Sequence, residues 1–596
     1  MTIHRQVALG RKVFILHFDS ISSIIAAQCN LINYPYFPFL GHIASRTETY
    51  FLKIANRSGS SIVSSLMESQ ITQNIAMELP DDVDVLIVGA GPVGAALANL
   101  CGRMRVRTLI MDKLPEIQMQ PRAMALDNEA LRILQLVGLD DASFARVVIP
   151  EVRLHSPIFG LFARMNTTGI LDGHPMLTTF FQPELEHALL DGLARYPSVQ
   201  VCRPIEWMET KEAQHGCTVS LRLPDGSTRQ LRTQFVVGAD GAGSPVRRAL
   251  GLGFHGSSFR EDWLIVDALN VAEDIGHIDF LCDPRRPAPH IPGPGGRQRW
   301  EFMLHPDENP EQMLRDDSIK ALLKPWADFD QVIVERKAVY RFHARTAAKF
   351  RVGRTLLVGD AAHVTPPFIG QGLVAGLRDV ANLGWKLAWV TQGRADQRIL
   401  DSYHIERQPH AWAMIRLAMW MGRLVMPRNR LAAFVSHGVA RLMTLTPGLR
   451  RLIVDIKIKP KNRFRRGLFA ARRAANRFEH GNHLVQGRLR NGAGVVLRSD
   501  DVLGQHLQLV GIGIDPLAKL SAAQREIWHS LGGMTTTIGA AGSSSDIVWE
   551  DIENTFRCGD FSLGWIVAVR PDKVVMADGK PAQADAIVDT VAKLMR

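Results

Sequence analysis

Residues 83–88 read Val-Asp-Val-Leu-Ile-Val and pass directly into Gly89-Ala-Gly-Pro-Val-Gly94. A short apolar run stopped by glycine predicts a buried strand. Residues 95–103 have helical composition, and 107–111 form a second apolar run that closes on Asp112. Strand, turn, helix and strand within about thirty residues fit a parallel βαβ crossover.

Beyond Pro150 the pattern changes. Strand-like runs at 217–223 and 230–237 flank a Pro-Asp-Gly turn at 224–226. Further runs lie at 263–270 and 299–304, separated by a Pro/Gly-rich stretch at 283–296. These pieces predict a separate sheet layer. At 355–358 another buried strand reaches Gly359-Asp360, followed by a Pro/Gly loop and a helix to about 390. Residues 395–490 read as mainly helical and basic. From 491 to the end strands and helices alternate, with a hairpin expected around Arg570-Pro571-Asp572. Residues 1–80 hold few acids and show no clear period. They are expected to be an extension, or upstream sequence ahead of a true start at Met67 or Met77.

The chain has 596 residues, 46% hydrophobic and 22% charged, which excludes disordered, collagenous and coiled-coil classes. Its six cysteines are scattered without a C-x-x-C, which argues against a zinc ribbon, a dithiol site or a secreted disulfide framework. No metal site and no membrane span are expected, and a reducing cytoplasmic setting is. The formal charge of +11 is uneven: residues 457–477 carry nine bases and no acid. The plain reading is a solvated basic surface; a membrane or nucleic-acid patch is the sharper one. No nucleic-acid-binding motif accompanies it.

Three motifs carry the chemistry. In Gly89-x-Gly91-x-x-Gly94 the first glycine turns the chain, the second admits a pyrophosphate to the backbone and the third lets helix pack on strand. The helix start offers free N–H groups to phosphate, and Asp112 is placed to accept from a ribose diol. The second motif is Gly238-Ala-Asp240-Gly241-x-x-Ser244-x-Val246-Arg247, again at a strand end. A tight structural turn is its alternative reading. The third is Gly359-Asp360-Ala-Ala-His363-x-x-Pro366-Pro367-x-x-Gly370-Gln371-Gly372. There Asp360 can bond a sugar-alcohol chain, the bend can line a flat ligand, and the following helix directs its positive end into the loop. His363 alone reads more readily as a structural histidine than as a catalyst.

In this order and spacing the motifs resemble the single-component FAD-dependent aromatic hydroxylases over about residues 83–410. Pro121-Arg122-Ala123, Phe181-Gln182-Pro183-x-Leu185-Glu186, Leu281-Cys282-Asp283-Pro284-x-Arg286-Pro287, Arg299-Trp300-Glu301-Phe302-Met303 and the helix from Gly376 to Ala388 are similar to the branch acting on meta-hydroxyphenylpropionate and hydroxycinnamate. The resemblance implies an α/β fold: a Rossmann-type FAD-binding domain in three parts (81–155, 236–261, 341–410), an inserted mixed-sheet substrate domain (156–235, 262–340), a helical basic segment (411–490) and a thioredoxin-like C-terminal domain (491–596) without redox cysteines. It implies that Gly89, Ala90, Gly91, Pro92, Gly94, Asp112, Lys113, Arg122, Gln182, Asp240, Gly359, Asp360, Pro367, Gly370, Gln371 and Gly372 surround FAD. Asp112 departs from the glutamate usual at its place.

The reaction implied is ortho-hydroxylation of a meta-hydroxyphenyl acid to a catechol through a flavin hydroperoxide, with NADH favoured over NADPH as reductant and O2 as co-substrate. Water must be excluded, and 262–304 is the expected supplier of an apolar layer. The base assisting the phenol is not legible. Asp127, His363 and Pro367 are candidates beside the flavin, Asp127 equally as a helix N-cap. Arg297 and Arg299 are candidates for a substrate carboxylate, with surface solvation as their alternative. A polyketide hydroxylase of the same fold, or a flavin-binding module without turnover, are the competing readings; a homodimer is an open expectation.

Overall fold

The computed structural model describes residues 79–596 except 273–274, 455–458, 473–475, 541–547 and 557–563. It also describes the backbone of an antiparallel hairpin, Ile3–Leu9 with Lys12–Phe18. The chain divides into two units at Glu78/Leu79, and the rest concerns the second. The expectation of an extension or a misplaced start falls otherwise on residues outside those described.

Five strands form a parallel sheet in the spatial order Val199–Cys202, Thr108–Met111, Asp82–Val88, Thr228–Gly238, Thr355–Leu357. Val85, Leu86 and Ile87 are completely buried, because helix Pro92–Arg103 and helix Gly372–Thr391 pack against this part of the fold. The register aligns Val88 with Met111 and with Gly238, and Gly238 with Leu357. All three motif loops therefore leave the sheet from one edge. The strand order reverses between Asp82–Val88 and Thr228–Gly238, the place where open α/β sheets take ligands.

The second sheet has eight strands in the order His363–Val364, Ile333–Ala347, Phe254–Leu269, Gln298–Met303, Ala288–Pro292, Ile278–Leu281, Glu151–Ser156, Gly160–Asn166. It is antiparallel apart from the pair Ile278–Leu281 and Glu151–Ser156. One boundary needs correcting. The hairpin Gly216–Arg222/Thr228–Gly238 forms around the expected turn, yet it belongs to the parallel sheet. The first half of Thr228–Gly238 pairs antiparallel with its hairpin partner, and the second half enters the parallel sheet. The inserted domain is thus built from residues around 146–180 and 254–347 rather than 156–235 and 262–340.

Helices Asp401–Val425, Arg430–Leu445 and Pro447–Val454 occupy the first half of the expected helical segment. Its second half, from Lys459 to Gln486, contains no helix among the described residues. Pro460, Gly467 and Gly481 interrupt it, the two glycines at positive φ.

The C-terminal domain pairs Leu507–Ile512 with Gly533–Gly539 in parallel across helix Ala522–Ser530. Trp565–Val569 then joins antiparallel and returns through Val575–Gly579 to helix Ala584–Met595. That is a thioredoxin-like arrangement, and its sheet starts at Arg488, slightly before the expected 491. Buried charge fastens it to the domain of the parallel sheet. Glu406 is fully buried and accepts from Arg570 Nη1 (2.7 Å) and Nη2 (3.0 Å), Lys386 Nζ (2.9 Å) and Asn382 Nδ2 (2.6 Å). Burial alone would raise its pKa, but Arg570 and Lys386 hold it well below the usual range. Arg132 makes a second clamp, bidentate to Asp500 at 2.7 and 2.8 Å.

Candidate active site

The first glycine turn has no room for side chains. A Cβ on Gly94 would lie 2.0 Å from Gly89 O, and one on Gly89, at φ 107°, 2.4 Å from Ala239 O. At Gly91 a Cβ would meet no atom within 4 Å, so that face is open to a ligand. No side chain caps the helix that begins at Pro92, which leaves its N–H groups for an anion. Asp112 accepts from Ala90 N–H at 2.8 Å and from Leu114 N–H at 2.9 Å, fixing its carboxylate at the turn. Lys113 beside it is exposed.

Asp240 holds Val246 N–H through Oδ2 (3.0 Å), while its other oxygen is buried without a partner. Burial pushes its pKa up. Asp360 receives no hydrogen bond from the described residues; burial raises its pKa, and the facing Arg122 guanidinium opposes that rise. Unpartnered oxygens at two motif ends and an open glycine face fit the hydroxyls and pyrophosphate of FAD. Gln182 contributes indirectly. Its Oε1 accepts the N–H groups of Arg122 and Ala123, both at 2.8 Å, and its Nε2 donates to Glu186 at 2.6 Å. The amide thereby shapes the 121–123 strip that carries Arg122.

The third loop turns at Pro367–Ile369, with Gly370 in the left-handed region at φ 61°. The helix from Gly372 again has no side-chain cap. Its positive end would stabilise negative charge on a ring in the bend by about 0.3–2 kcal/mol. Phe368 at the bend packs with Phe259 (ring centroids 5.5 Å apart), Trp263 (5.8 Å) and Phe342 (5.9 Å), all from the second sheet. This is the apolar layer expected of 262–304, extended by Phe259 and Phe342.

Residues 82–418 match the family described as FAD binding domain, and 481–594 match the HcaD C-terminal domain. A relative from Burkholderia cenocepacia, 3-(3-hydroxy-phenyl)propionate/3-hydroxycinnamic acid hydroxylase, is 36% identical over 508 residues, covering 83% of this chain and 93% of its own. The protein of the same name from Mycolicibacterium smegmatis is 37% identical, covering 79% and 84%. Among solved structures, the flavin-dependent monooxygenase PieE in complex with FAD and substrate superposes with a TM-score of 0.72 at 21% identity, over 87% of this chain and all of the other. The chain belongs to the FAD-dependent aromatic hydroxylases.

Within the hydroxylase three candidate roles need revision. Arg299 is fully buried and has no free face for a substrate. It pairs with Asp267 through Nε (2.5 Å) and Nη2 (2.9 Å) and donates to Pro121 O (2.8 Å) and Arg122 O (3.1 Å). Arg297 is engaged by Glu335 at 2.9 and 3.2 Å and lies 4.1 Å over the Phe181 ring. Asp127 is the N-cap of helix Asn128–Val137, accepting Ala130 N–H at 2.9 Å. Its other oxygen takes Lys459 Nζ (2.7 Å), Gln371 Nε2 (3.0 Å) and Arg378 Nη2 (3.1 Å). Burial would raise its pKa, but Lys459 and Arg378 win and hold it low, so it is a poor proton acceptor. It ties Gln371, and so the 367–372 bend, to the helix behind.

His363 is buried against Asp379, Nε2 to Oδ2 at 2.6 Å, and Asp379 also takes Gly359 N–H (3.1 Å) and Arg407 Nε (2.8 Å). It underpins the loop from beneath. Pro367 is half-buried at the start of the bend, beside the aromatic cluster. The sequence reading missed Phe259, Phe342 and Phe368, as well as the Arg378 and Asp379 anchors. Their only local signals were aromatics in strand positions and charges on a helix otherwise apolar. Among the described residues no cluster of three or more His, Cys, Asp or Glu side chains is arranged to hold a metal. No described helix is long and apolar enough to cross a membrane.

Proposed function

We propose that this hydroxylase converts 3-(3-hydroxyphenyl)propionate and 3-hydroxycinnamate to the corresponding catechols, in the breakdown of aromatic compounds. Relatives of that name, covered over most of their length at 32–37% identity, support the substrate. The observation that carries the chemistry is the aromatic wall of Phe259, Trp263 and Phe342 packed on Phe368 at the bend.

When bound, FAD supplies hydride acceptance from NADH and the activation of O2, so that one oxygen enters the ring and the other leaves as water. The chain's residues do the remainder. Gly91 and the helix at Pro92 seat the pyrophosphate, Asp112 the ribose, and Asp240 and Asp360 the hydroxyls of the linker. Arg122 is held toward Asp360 by Gln182 from one side and by Arg299 from the other. The aromatic wall keeps water from the reacting ring carbon. NADH docks transiently at the surface in this reading, since the described residues contain one dinucleotide fold. Cys101, Cys217 and Cys282 are buried free thiols, in keeping with a reducing cytoplasm.

The test is a panel of phenolic acids, with a polycyclic phenol as control, scored together for NADH or NADPH oxidation, O2 use and catechol formed. Tight coupling with a meta-hydroxyphenyl acid is expected. Cofactor oxidation that yields only peroxide with every acid, or coupling with the polycyclic phenol alone, removes the assignment.

A further inference from the structure

Helix Arg430–Leu445 has two apolar faces. The inner one is accounted for: His437 stacks on Phe162 (4.4 Å), and Ala433 and Ala440 are buried; Phe434, at the edge of the outer face, touches Phe159 (5.4 Å). The outer one should be polar on a helix that only lines a domain. Instead Leu431, Val435, Val439, Leu442 and Leu445 are between 54% and 72% exposed, and Phe434 is 54% exposed. At 100° per residue these six fall on one stripe opposite the buried alanines, with Arg430 and Arg441 along its flank.

The charge around this stripe is equally one-sided. Residues 407–478 contain seventeen Lys and Arg and a single acid, Asp455. The tract is therefore +16 in a chain of +11, and the remainder is −5. Arg416, Arg423, Arg428 and Arg430 form no ion pair with any described residue. Arg407 and Lys459 of this tract pair with Asp379 and Asp127, and Arg463 and Arg472 with Glu479; Arg423, Arg428 and Arg430 beside the stripe remain, and two copies would set them against each other, so self-association through this face is opposed by charge. Nucleic acid would use the cations and leave the apolar stripe in water. An anionic bilayer surface satisfies both: the stripe enters the acyl boundary and the arginines face the headgroups.

We propose that the hydroxylase binds the surface of membranes containing anionic phospholipid through helix Arg430–Leu445, lying on the bilayer without crossing it. The inner face of the same helix packs on the edge strand Gly160–Asn166 of the inserted sheet through His437 and Phe162, so docking would bring that edge next to the lipid.

The experiment is flotation of the full-length, FAD-loaded protein with vesicles of phosphatidylcholine alone or mixed with phosphatidylglycerol. Binding to the anionic vesicles is expected. It should fall when salt is raised from about 0.1 M to about 1 M, which shortens the screening length from about 10 Å to about 3 Å. Leu431→Glu with Leu442→Glu should cut the bound fraction on the order of tenfold while FAD content and circular dichroism stay unchanged. Arg428→Glu with Arg430→Glu should weaken anionic binding by roughly fivefold or more per residue. Failure of the full chain to float, equal binding to both vesicles, or binding indifferent to the leucine pair would overturn the proposal. So would a light-scattering result in which the leucine pair splits an oligomer into monomers, which assigns the stripe to a second copy. Binding of duplex DNA that outcompetes the vesicles and survives the leucine pair would assign the tract to nucleic acid instead.

Discussion

Replacing Arg299 separates two roles that the sequence leaves open. In the structure its guanidinium makes four hydrogen bonds, two to Asp267 and one each to the carbonyls of Pro121 and Arg122. Arg299→Met leaves Asp267 with Arg336 alone, 3.3 Å away, and strips a donor from both carbonyls. Breaking a buried pair from one side costs about 3–5 kcal/mol. Arg336 also bonds Pro121 O and softens the loss, which puts the expected cost near the lower end, about 3 kcal/mol. Arg299→Lys keeps the charge but cannot span Asp267 and both carbonyls, so about 2 kcal/mol is lost with the charge-assisted bonds. Because those carbonyls belong to the strip that presents Arg122, both variants should lose FAD more readily than they lose affinity for the phenolic acid. Urea unfolding, retained flavin after gel filtration, and KM for the acid distinguish the outcomes. Unchanged stability and flavin content with KM raised tenfold or more for carboxylate substrates would refute the structural role and restore Arg299 as a substrate clamp.

Gly91→Val should fold and come out colourless, since its Cβ meets no protein atom; Gly94→Ala should fail to fold, since its Cβ meets Gly89 O at 2.0 Å, and absorbance at the flavin band with circular dichroism reads both. Phe368→Ala should cost about 3 kcal/mol in urea unfolding and raise the share of NAD(P)H oxidation that ends as peroxide, because water gains the bend. His174 and His290 are buried, and burial lowers their pKa values to about 4. In the unfolded chain they take a proton near pH 6.5, so stability is full above that value and is lost as pH falls toward 4. Urea midpoints at pH 7 and pH 5 should differ by about 2 kcal/mol for each histidine, and His290→Gln should remove its share.

The nucleotide turn was legible because it is local: glycines, an acid and two apolar runs lie within one crossover. The loops at Asp240 and Asp360 were legible as acids at strand ends, and the register that brings them to one edge follows from parallel pairing. The hairpin at 216–238 was found but assigned to the wrong sheet, since a strand that serves two partners has the same apolar pattern along its length. Arg299 was misread because Asp267 is thirty-two residues away and nothing in the chain between them announces the pair. The cap role of Asp127 could be read from its position before a helix; its three further partners, among them Lys459 more than three hundred residues on, could not.

The salt cluster at Glu406 has a consequence for how this chain can be cut or recombined. Glu406 and Lys386 sit in one domain and Arg570 and Asp572 in another, so separating the domains strips Glu406 of its bidentate guanidinium. A fragment ending near residue 480 would leave Glu406 with Lys386 and Asn382 but without the two Arg570 bonds, and would be expected to collect as insoluble material. Chimeras between relatives should tolerate a junction only where the donor of Arg570 and the donor of Glu406 come from partners already matched to each other, which makes the distal module a fixed companion rather than an optional appendage.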